Sequence, residues 1–381
     1  MQALNGIKVV EFCEIAAGPF CAMLLADSGE DVIKVERPAG DAMRMWPPVT
    51  EGFSENFASV NRNKRSVVLD MKTDEGLAAA RALILESDVV LENFRPGVMQ
   101  RLGIDYATMS AEKSSLIYCS ISAFGQTGPR SKQGGFDLTM QAMAGVMSVT
   151  GEPGGAPVKC GVPLCDFVSA LYGAYGISNA IIERDHTGVG QHIDVAMLGA
   201  TMAIAALQTS ESFGTGNDPK KLGSAHPRNA PYQAFRSSDG YFGMAAGNNN
   251  LWHLVCDVVE REALKQDERF LNPTLRAQNQ TTLLGILEAI FTQQTSAHWL
   301  EAFNAVGVPC SPINTYSDAL ADPQVEHMGW VQDMTLANGV ETKTFGPALR
   351  INDEAAGINR RPPELGEHTA EVLAALKSKG A

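Results

Sequence analysis

The carboxylate of Asp166 is the strongest candidate nucleophile in the sequence. It lies within residues 160–168, an otherwise apolar stretch that opens a helix predicted over 164–182. A helix N-terminus stabilises an anion, so this placement would keep the carboxylate deprotonated and able to attack an electrophilic carbon. An aspartate at such a position also serves as an N-terminal cap or dipole partner, and by residue type alone that structural role is the commoner one.

Five basic residues follow predicted strands at the same topological place. They are Arg37 after the strand at 32–35, Lys72 after 67–69, Arg95 and Arg101 after 89–91, and Lys132 beyond 116–121. The carboxyl ends of parallel strands gather at one edge of a sheet, so these cations could form a clamp for phosphate groups. Each of them, taken singly, is typical of a solvated surface. Their recurrence favours a site for a small phosphate-bearing ligand.

Other signatures of known chemistry are missing. The turn Ala16-Ala17-Gly18-Pro19 lacks the Gly-x-Gly-x-x-Gly pattern of a dinucleotide site, and the chain has no Gly-Lys-Ser/Thr loop. The seven histidines show no metal-ligand spacing, so no metal site is predicted. No Gly-x-Ser-x-Gly elbow supports a hydrolase. Free amides at the predicted helix start could still hold one anion.

A second acidic residue follows glycine-rich loops. Residues 125–129 and Gly134-Gly135 precede Asp137, and loops of this composition let the backbone approach a ligand closely. Asp137 itself is predicted to cap a helix over 138–147.

Short apolar runs alternate with helical patterns over the first 200 residues. Strands are predicted at 7–12, 31–35, 66–69, 88–91 and 116–121, and helices at 19–26, 77–85, 138–147 and 164–182. This alternation is typical of an α/β fold whose parallel sheet is covered by helices on both faces. Such sheets bind ligands at the carboxyl ends of their strands, which is where the basic residues and glycine-rich loops are expected.

The character of the chain changes after Leu207. Residues 208–230 are polar, and His226-Pro227 and Ala230-Pro231 are predicted to act as helix breakers. A strand at 241–246 and amphipathic helices near 281–291 and 297–306 then indicate a smaller α+β domain. We therefore predict a large domain over 1–210, the small domain over 225–320, and a C-terminal segment over 321–381 that ends in a helix at 369–377.

Composition excludes several classes of protein. The 381 residues are 45% hydrophobic and 19% charged, which fits a globular protein with a sizeable core. A net charge of −13 argues against nucleic-acid and anionic-membrane partners. The seven cysteines form no Cys-x-x-Cys pair, the N-terminus lacks a signal-peptide pattern, and the longest apolar run, 195–207, is too short to cross a bilayer. These features predict a reduced, cytoplasmic protein.

Ordered sequence blocks along nearly the whole chain resemble the class III CoA-transferase family, which includes formyl-CoA transferase and carnitine CoA-transferase. The blocks are residues 17–19, 32–37, 61–66, 69–72, 92–97, 125–129, the segment around Asp166, 190–195 and 307–313. Their number and order make the resemblance far more specific than any single block.

The resemblance implies a Rossmann-like large domain with a parallel sheet, a smaller α+β domain, a C-terminal segment that returns to the large domain, and an interlocked homodimer. It also implies that Asp166 attacks an acyl-CoA thioester to give a mixed anhydride and a CoA thiolate. Return of the thiolate gives an aspartyl-CoA thioester, which an acceptor carboxylate then attacks. Coenzyme A takes part as a substrate, and such a relay needs no metal and no permanently bound cofactor.

The same resemblance assigns the binding of coenzyme A to a set of residues that includes the basic residues described above. They are Ala16, Ala17, Arg37, Leu69, Asp70, Met71, Lys72, Asn93, Phe94, Arg95, Arg101, Lys132 and Phe136.

Two departures from members of the fold narrow the expected activity. Formyl-CoA transferase has a glutamine in place of Ala16 and a run of glycines in place of residues 247–250, which argues against specificity for formyl or oxalyl groups. α-Methylacyl-CoA racemases pair the aspartate with a histidine, because proton exchange at an α-carbon needs a second base. Phe136 stands at that position here and cannot carry a proton, so transfer is favoured over racemisation.

Three functions are compatible with these features. The first is transfer of CoA from a donor such as succinyl-CoA or acetyl-CoA to a free carboxylic acid, with small dicarboxylates or hydroxy acids expected as acceptors by family analogy. Arg44, His226 and Arg228 are candidates for binding a second carboxylate. The alternatives are a racemase-like enzyme and an inactive CoA-binding protein, and the presence of Asp166 in its expected setting argues against the latter.

Overall fold

The computed structural model describes residues 4–379, and the chain divides into two compact units. The first unit comprises the residues up to 146, residues 159–217 and the residues from 323 onward. The second comprises residues 147–158 and 218–322. The segment 147–158 lies inside the first domain predicted from the sequence, which ran over 1–210.

Strands and helices follow one another along the described residues, with longer connections at 123–136, 150–163 and 216–231. The strands are β1 (Lys8–Phe12), β2 (Asp31–Glu36), β3 (Val49–Thr50), β4 (Phe53–Ser54), β5 (Lys64–Val68), β6 (Val89–Glu92), β7 (Ile117–Ser122), β8 (His192–Ala196), β9 (Tyr232–Arg236), β10 (Tyr241–Ala245), β11 (Cys310–Pro312), β12 (Val331–Thr335), β13 (Glu341–Phe345), β14 (Arg350–Ile351) and β15 (Glu354–Ala355). The helices are α1 (Ala17–Asp27), α2 (Glu55–Ser59), α3 (Asp74–Glu86), α4 (Val98–Arg101), α5 (Tyr106–Ser110), α6 (Asp137–Met143), α7 (Val146–Val149), α8 (Leu164–Thr187), α9 (Met197–Ile204), α10 (Ala206–Thr215), α11 (Asn249–Val258), α12 (Pro273–Gln278), α13 (Gln280–Phe291), α14 (Ser296–Ala305), α15 (Tyr316–Leu320), α16 (Pro323–Met328) and α17 (Thr369–Lys379). Two 3-10 helices lie at Ala42–Met45 and Glu262–Lys265.

The first unit is built on a parallel sheet of six strands in the order β5-β2-β1-β6-β7-β8. From β1 the chain adds β2 and β5 on one side of the sheet, and it then returns to add β6, β7 and β8 on the other side. The order in which strands are added therefore reverses between the neighbouring strands β1 and β6. Open parallel sheets bind ligands beyond the carboxyl ends of the strands at this reversal. The segments just after Phe12 and Glu92 therefore mark the expected site.

Both faces of this sheet are buried. Neighbouring residues of a strand point to opposite faces, and Val9 packs with Cys21 of α1 and Ile177 of α8. Val10 packs instead with Leu83 of α3 and with α17. The parallel sheet between helical layers predicted from the strand and helix alternation is thus confirmed.

Several elements differ from the sequence prediction, including three in the first unit. The helix predicted over 138–147 is two helices, because α6 ends at Met143 and Gly145 takes a left-handed φ of 83°. Helix α8 continues to Thr187 rather than 182 and is ended by Gly188 at φ 74°. Strand β8, which completes the sheet, was not predicted.

The second unit contains the antiparallel sheet β11-β10-β9 and the helices α11 to α14. Its core is rich in aromatic side chains: Phe242 contacts Phe235, Phe291 and Phe303 with ring centroids 5.2 to 6.2 Å apart. Among the residues that the structure describes, no helix is long and apolar enough to cross a membrane.

Candidate active site

Asp166 lies in the first turn of α8 and lines a cavity of about 330 Å³, which we call the Asp166 cavity. The other lining residues come mainly from the segments after β1, β6 and β7. They are Glu14, Ile15, Ala16, Ala17, Asn93, Phe94, Arg95, Pro96, Ile121, Ser122, Ala123, Gln133, Gly134, Gly135, Phe136 and Met197. The cavity therefore lies where the strand order reverses, as the topology leads one to expect.

The environment of Asp166 makes its carboxylate more basic than an exposed one. Burial, with a smaller contribution from the negative charge of Asp137, raises the pKa of Asp166 from 3.8 to about 6. The direction of this pKa shift is opposite to the one expected from a position at a helix N-terminus, and its largest cause is loss of solvation. Within residues 4–379, no group donates a hydrogen bond to this carboxylate. A carboxylate with a pKa near 6 is mostly ionised at neutral pH and is a better nucleophile than an ordinary aspartate.

Asp137 is held beside Asp166 by two hydrogen bonds. Its Oδ1 accepts from the backbone N–H of Cys165 at 2.9 Å, and its Oδ2 accepts from Gln141 Nε2 at 2.8 Å. The prediction that Asp137 caps its own helix is therefore wrong: Phe136 is the N-cap of α6, and Asp137, in the first turn of α6, instead satisfies an amide in the first turn of α8.

The loop after β1 is joined to the loop after β6 by Asn93. Asn93 Oδ1 accepts from the N–H of Glu14 at 3.0 Å, and Asn93 Nδ2 donates to the carbonyl of Glu14 at 2.9 Å. Helix α1 can start here only because residue 18 is glycine, since a Cβ on Gly18 would lie 2.4 Å from Cys13 Sγ. These contacts bring Ala16 and Ala17 to the wall of the same cavity as Asp166.

The glycine-rich loop before α6 forms another wall of the Asp166 cavity. A Cβ on Gly134 would lie 2.9 Å from the Arg95 guanidinium, and a Cβ on Gly135 would lie 2.8 Å from Ala123 Cβ. The two glycines therefore let this loop pack closely against the ends of β6 and β7. Phe136 follows them with 69% of its surface exposed, and its ring offers no group that can accept a proton.

A second cavity of about 380 Å³, the Arg37 cavity, adjoins the first through Glu14 and Phe94, which line both. Its lining is Phe12, Cys13, Glu14, Val35, Arg37, Leu69, Asp70, Met71, Lys72, Phe94, Val98 and Leu102. Most of this lining is apolar, and it carries two cations, with Arg37 Nε 3.4 Å from the Glu14 carboxylate. An apolar pocket with a few charged groups is typical of a small-molecule site.

The structure brings most of the predicted binding residues to these two cavities, but not all. Arg101 and Lys132 are exposed and lie outside the lining of both. Arg44 pairs with Glu36 through Nε and Nη2, each at 2.7 Å, and donates to the carbonyl of Pro363 at 3.0 Å. Its guanidinium is therefore engaged inside the fold rather than directed to a second carboxylate.

The other two candidates for a second carboxylate, His226 and Arg228, belong to the second unit. His226 Nδ1 accepts from the backbone amides of Arg228 and Asn229, both at 3.1 Å, and its ring stacks on Tyr232. Burial lowers the pKa of His226, so the imidazole is neutral at pH 7. A neutral imidazole that organises its own turn is a weak partner for a carboxylate.

Sequence reasoning did not find Glu14, Ile15 and Met197 as residues of the site. Ile15 and Met197 carry apolar side chains, and no motif distinguishes them from core residues. The one usable signal was position, because Glu14 and Ile15 directly precede Ala16 in the turn after β1.

Asp166, a half-buried carboxylate with a raised pKa, thus lies at the reversal point of a parallel α/β sheet, where such folds bind their ligands. The chain belongs to CoA-transferase family III, which it matches over residues 4–369. The resemblance inferred from the sequence blocks is confirmed, and the protein is a class III CoA-transferase.

Curated relatives and a solved structure agree with this assignment. The chain is 37% identical to the succinate–glutarate CoA-transferase of Agrobacterium fabrum, covering 98% of this chain and 96% of the relative. It is 36% identical to the human succinyl-CoA:glutarate CoA-transferase, covering 98% and 86%. A CAIB/BAIF family protein from Brucella suis matches with a TM-score of 0.87 and 40% identity over 98% of this chain and 99% of that one.

Proposed function

We propose that this enzyme transfers CoA from succinyl-CoA to a small dicarboxylate such as glutarate, with Asp166 as the nucleophile. The observation that carries the catalytic part is the half-buried carboxylate of Asp166, whose raised pKa and place at the sheet reversal suit covalent acyl transfer. The named substrates of the two relatives support the choice of donor and acceptor.

The proposed reaction passes through anhydride and thioester intermediates on Asp166. An oxygen of the Asp166 carboxylate attacks the thioester carbon of the donor, the carbon–sulfur bond breaks, and a mixed anhydride and CoA thiolate form. The thiolate then attacks the Asp166 carbonyl of the anhydride, which releases the donor acid and leaves an aspartyl-CoA thioester. The acceptor carboxylate attacks this thioester, and the thiolate returned in that step captures the acceptor acyl group, which regenerates Asp166.

The two adjoining cavities suggest how CoA binds. We place the thiol end in the Asp166 cavity and the nucleotide end in the Arg37 cavity, where Leu69, Met71 and Phe94 can contact the adenine and Arg37 and Lys72 can pair with phosphates. Roles for Arg101 and Lys132 stay predictions of the resemblance. Arg37→Ala should therefore raise KM for the donor and leave kcat little changed, so that turnover slows only at donor concentrations below KM.

We further propose a homodimer of Rossmann-like large domains in the cytoplasm, with the small domain at 225–320. Support for a partner chain comes from α8, where Leu171, Tyr175 and Ile182 share one helix face and are 53%, 67% and 58% exposed. Apolar surface of this extent on one helix is typical of an interface. Light scattering at the mass of a single 40.7 kDa chain would count against the dimer.

The first experiment is to incubate the protein with succinyl-CoA or acetyl-CoA, add carboxylic acids singly, and follow new CoA thioesters by mass spectrometry. We expect a new thioester with glutarate or a similar dicarboxylate. Donor alone is then treated with hydroxylamine, which should convert an activated Asp166 to its hydroxamate. An unmodified Asp166 with every donor would favour the inactive CoA-binding alternative, whereas exchange of the α-hydrogen of a 2-methylacyl-CoA would favour the racemase-like one.

The pH dependence of the first half-reaction provides a further test. With a pKa of about 6, Asp166 is active as the carboxylate above that pH and loses activity as the pH falls. We expect kcat/KM for release of succinate from succinyl-CoA to be level above about pH 7 and to fall roughly tenfold per unit well below pH 6. An acid limb near pH 4 would show that burial does not perturb this carboxyl in solution.

A further inference from the structure

The loop between β1 and α1 holds a strained residue in the wall of the Asp166 cavity. Ile15 has a φ of 69°, a left-handed conformation that is sterically unfavourable for a β-branched side chain. Such conformations persist only where the surrounding contacts enforce them, and they cluster at functional sites. The contacts that enforce this one identify residues that shape the cavity.

Asp41 makes the contact that holds the Ile15 backbone. The N–H of Ile15 lies 3.2 Å from each oxygen of the Asp41 carboxylate and donates to it. The same carboxylate accepts from the N–H of Met43 at 2.9 Å and thereby caps a 3-10 helix. Asp41 is only 2% exposed, so this acceptor is fixed and is not shared with solvent.

Lys34 holds Cys13, the residue that precedes Glu14 in the loop, and also contacts Asp41. Its Nζ lies 3.0 Å from the Asp41 carboxylate and donates to the carbonyl of Cys13 at 2.8 Å, and its side chain is fully buried. With Asn93 bound to both backbone groups of Glu14, three successive residues of the loop are held by buried or half-buried side chains. The left-handed turn at Ile15 is thus imposed by tertiary contacts rather than by local preference.

We propose that Asp41 is a positioning residue for acyl transfer, which acts by imposing the left-handed conformation of Ile15 and so placing the backbone of residues 15–17 in the cavity that holds Asp166. This inference rests on the proposed role of Asp166. A change at Ile15 would rotate the peptide that leads into Ala16 and the start of α1, where Ala16 provides no side-chain cap. Displacement of a substrate-facing group by about 1 Å can lower a rate by about 10²-fold.

The first test is Asp41→Ala, which removes the acceptor of the Ile15 N–H, measured with succinyl-CoA and with the rates normalised to folded protein by near-ultraviolet circular dichroism. We expect kcat to fall by about 10- to 100-fold while KM for the donor changes by less than about threefold. Asp41→Glu is the second variant, since it keeps the charge beside Lys34 but displaces the carboxylate from the Ile15 amide. It should show the same separation of kcat from KM.

Rescue at residue 15 separates positioning from a merely structural role. Glycine adopts a positive φ without steric cost, so adding Ile15→Gly to either Asp41 variant should restore kcat by about tenfold. Ile15→Ala is the matched control, because it removes nearly the same side chain but keeps the Cβ that disfavours this conformation. Equal recovery with alanine, or none with glycine, would overturn the proposal.

Hydroxylamine treatment of the wild-type enzyme distinguishes failure of the proposed role of Asp166 from failure of the proposed role of Asp41. If hydroxylamine leaves Asp166 of the wild type unmodified, the proposed role of Asp166 fails. If the wild type forms the hydroxamate and the glycine variants show no selective recovery, the nucleophile stands and the positioning role of Asp41 fails.

Discussion

Replacing Asp166 with alanine or asparagine is expected to lower the rate of CoA transfer by roughly 10⁴-fold or more, because removal of a covalent nucleophile leaves only the contribution of substrate binding. The dissociation constant for CoA should change by less than about threefold. Asp166 lines the Asp166 cavity and not the Arg37 cavity, to which we assign the nucleotide. Single-turnover release of succinate and calorimetric titration with CoA measure the two quantities.

The matched control for this substitution is Asp74→Asn. Asp74 is also an aspartate in the first turn of a helix, α3, but it is exposed and lines neither cavity. The control should retain activity within about twofold, as expected for a surface change. Comparable activity of the Asp166 variants and the control would refute the covalent role of Asp166, and loss of CoA binding by the Asp166 variants would point to a folding defect.

Replacing Lys64 with methionine is expected to produce the largest loss of stability among the substitutions considered. Lys64 is fully buried on β5, and its Nζ donates to Glu11 Oε1 at 2.8 Å, Pro19 carbonyl at 2.8 Å and Asn61 Oδ1 at 2.9 Å. Without Lys64, the cation left beside the buried Glu11 among the described residues is Lys34, at 3.8 Å, which also pairs with Asp41. Breaking such a pair costs about 3–5 kcal/mol, to be measured as the free energy of unfolding in urea.

Two further variants test the cause of this loss. Arg65→Met, at the neighbouring residue of the same strand, removes a cation whose partners Asp31 and Glu371 are 46% and 67% exposed, so it should cost no more than about 1 kcal/mol. Adding Glu11→Gln to Lys64→Met removes the unpaired charge and should recover part of the stability. A double variant no more stable than Lys64→Met would show that packing, rather than the buried charge, accounts for the effect.

Much of the chemistry could be predicted from the sequence because the residues that carry it lie in ordered local blocks. The alternation of apolar runs and helical patterns predicts the parallel sheet, and the residues after β1 and β6 follow from the rule that ligands bind at strand ends. Asp166 could be selected because a carboxylate in an otherwise apolar stretch is unusual. These are properties of residue type and spacing, which short-range physical preferences determine.

Other properties of the site depend on tertiary contacts between residues that are distant along the chain. Burial beside Asp137 reverses the pKa shift that a helix N-terminus would give Asp166, and pairing with Glu36 engages Arg44 within the fold. No pattern predicts that Asp41, 26 residues along the chain from Ile15, holds a strained backbone in the cavity wall. Residue type and spacing therefore determined the family, the sheet and the candidate nucleophile, whereas solvation, charge pairing and backbone strain depend on which side chains meet in three dimensions.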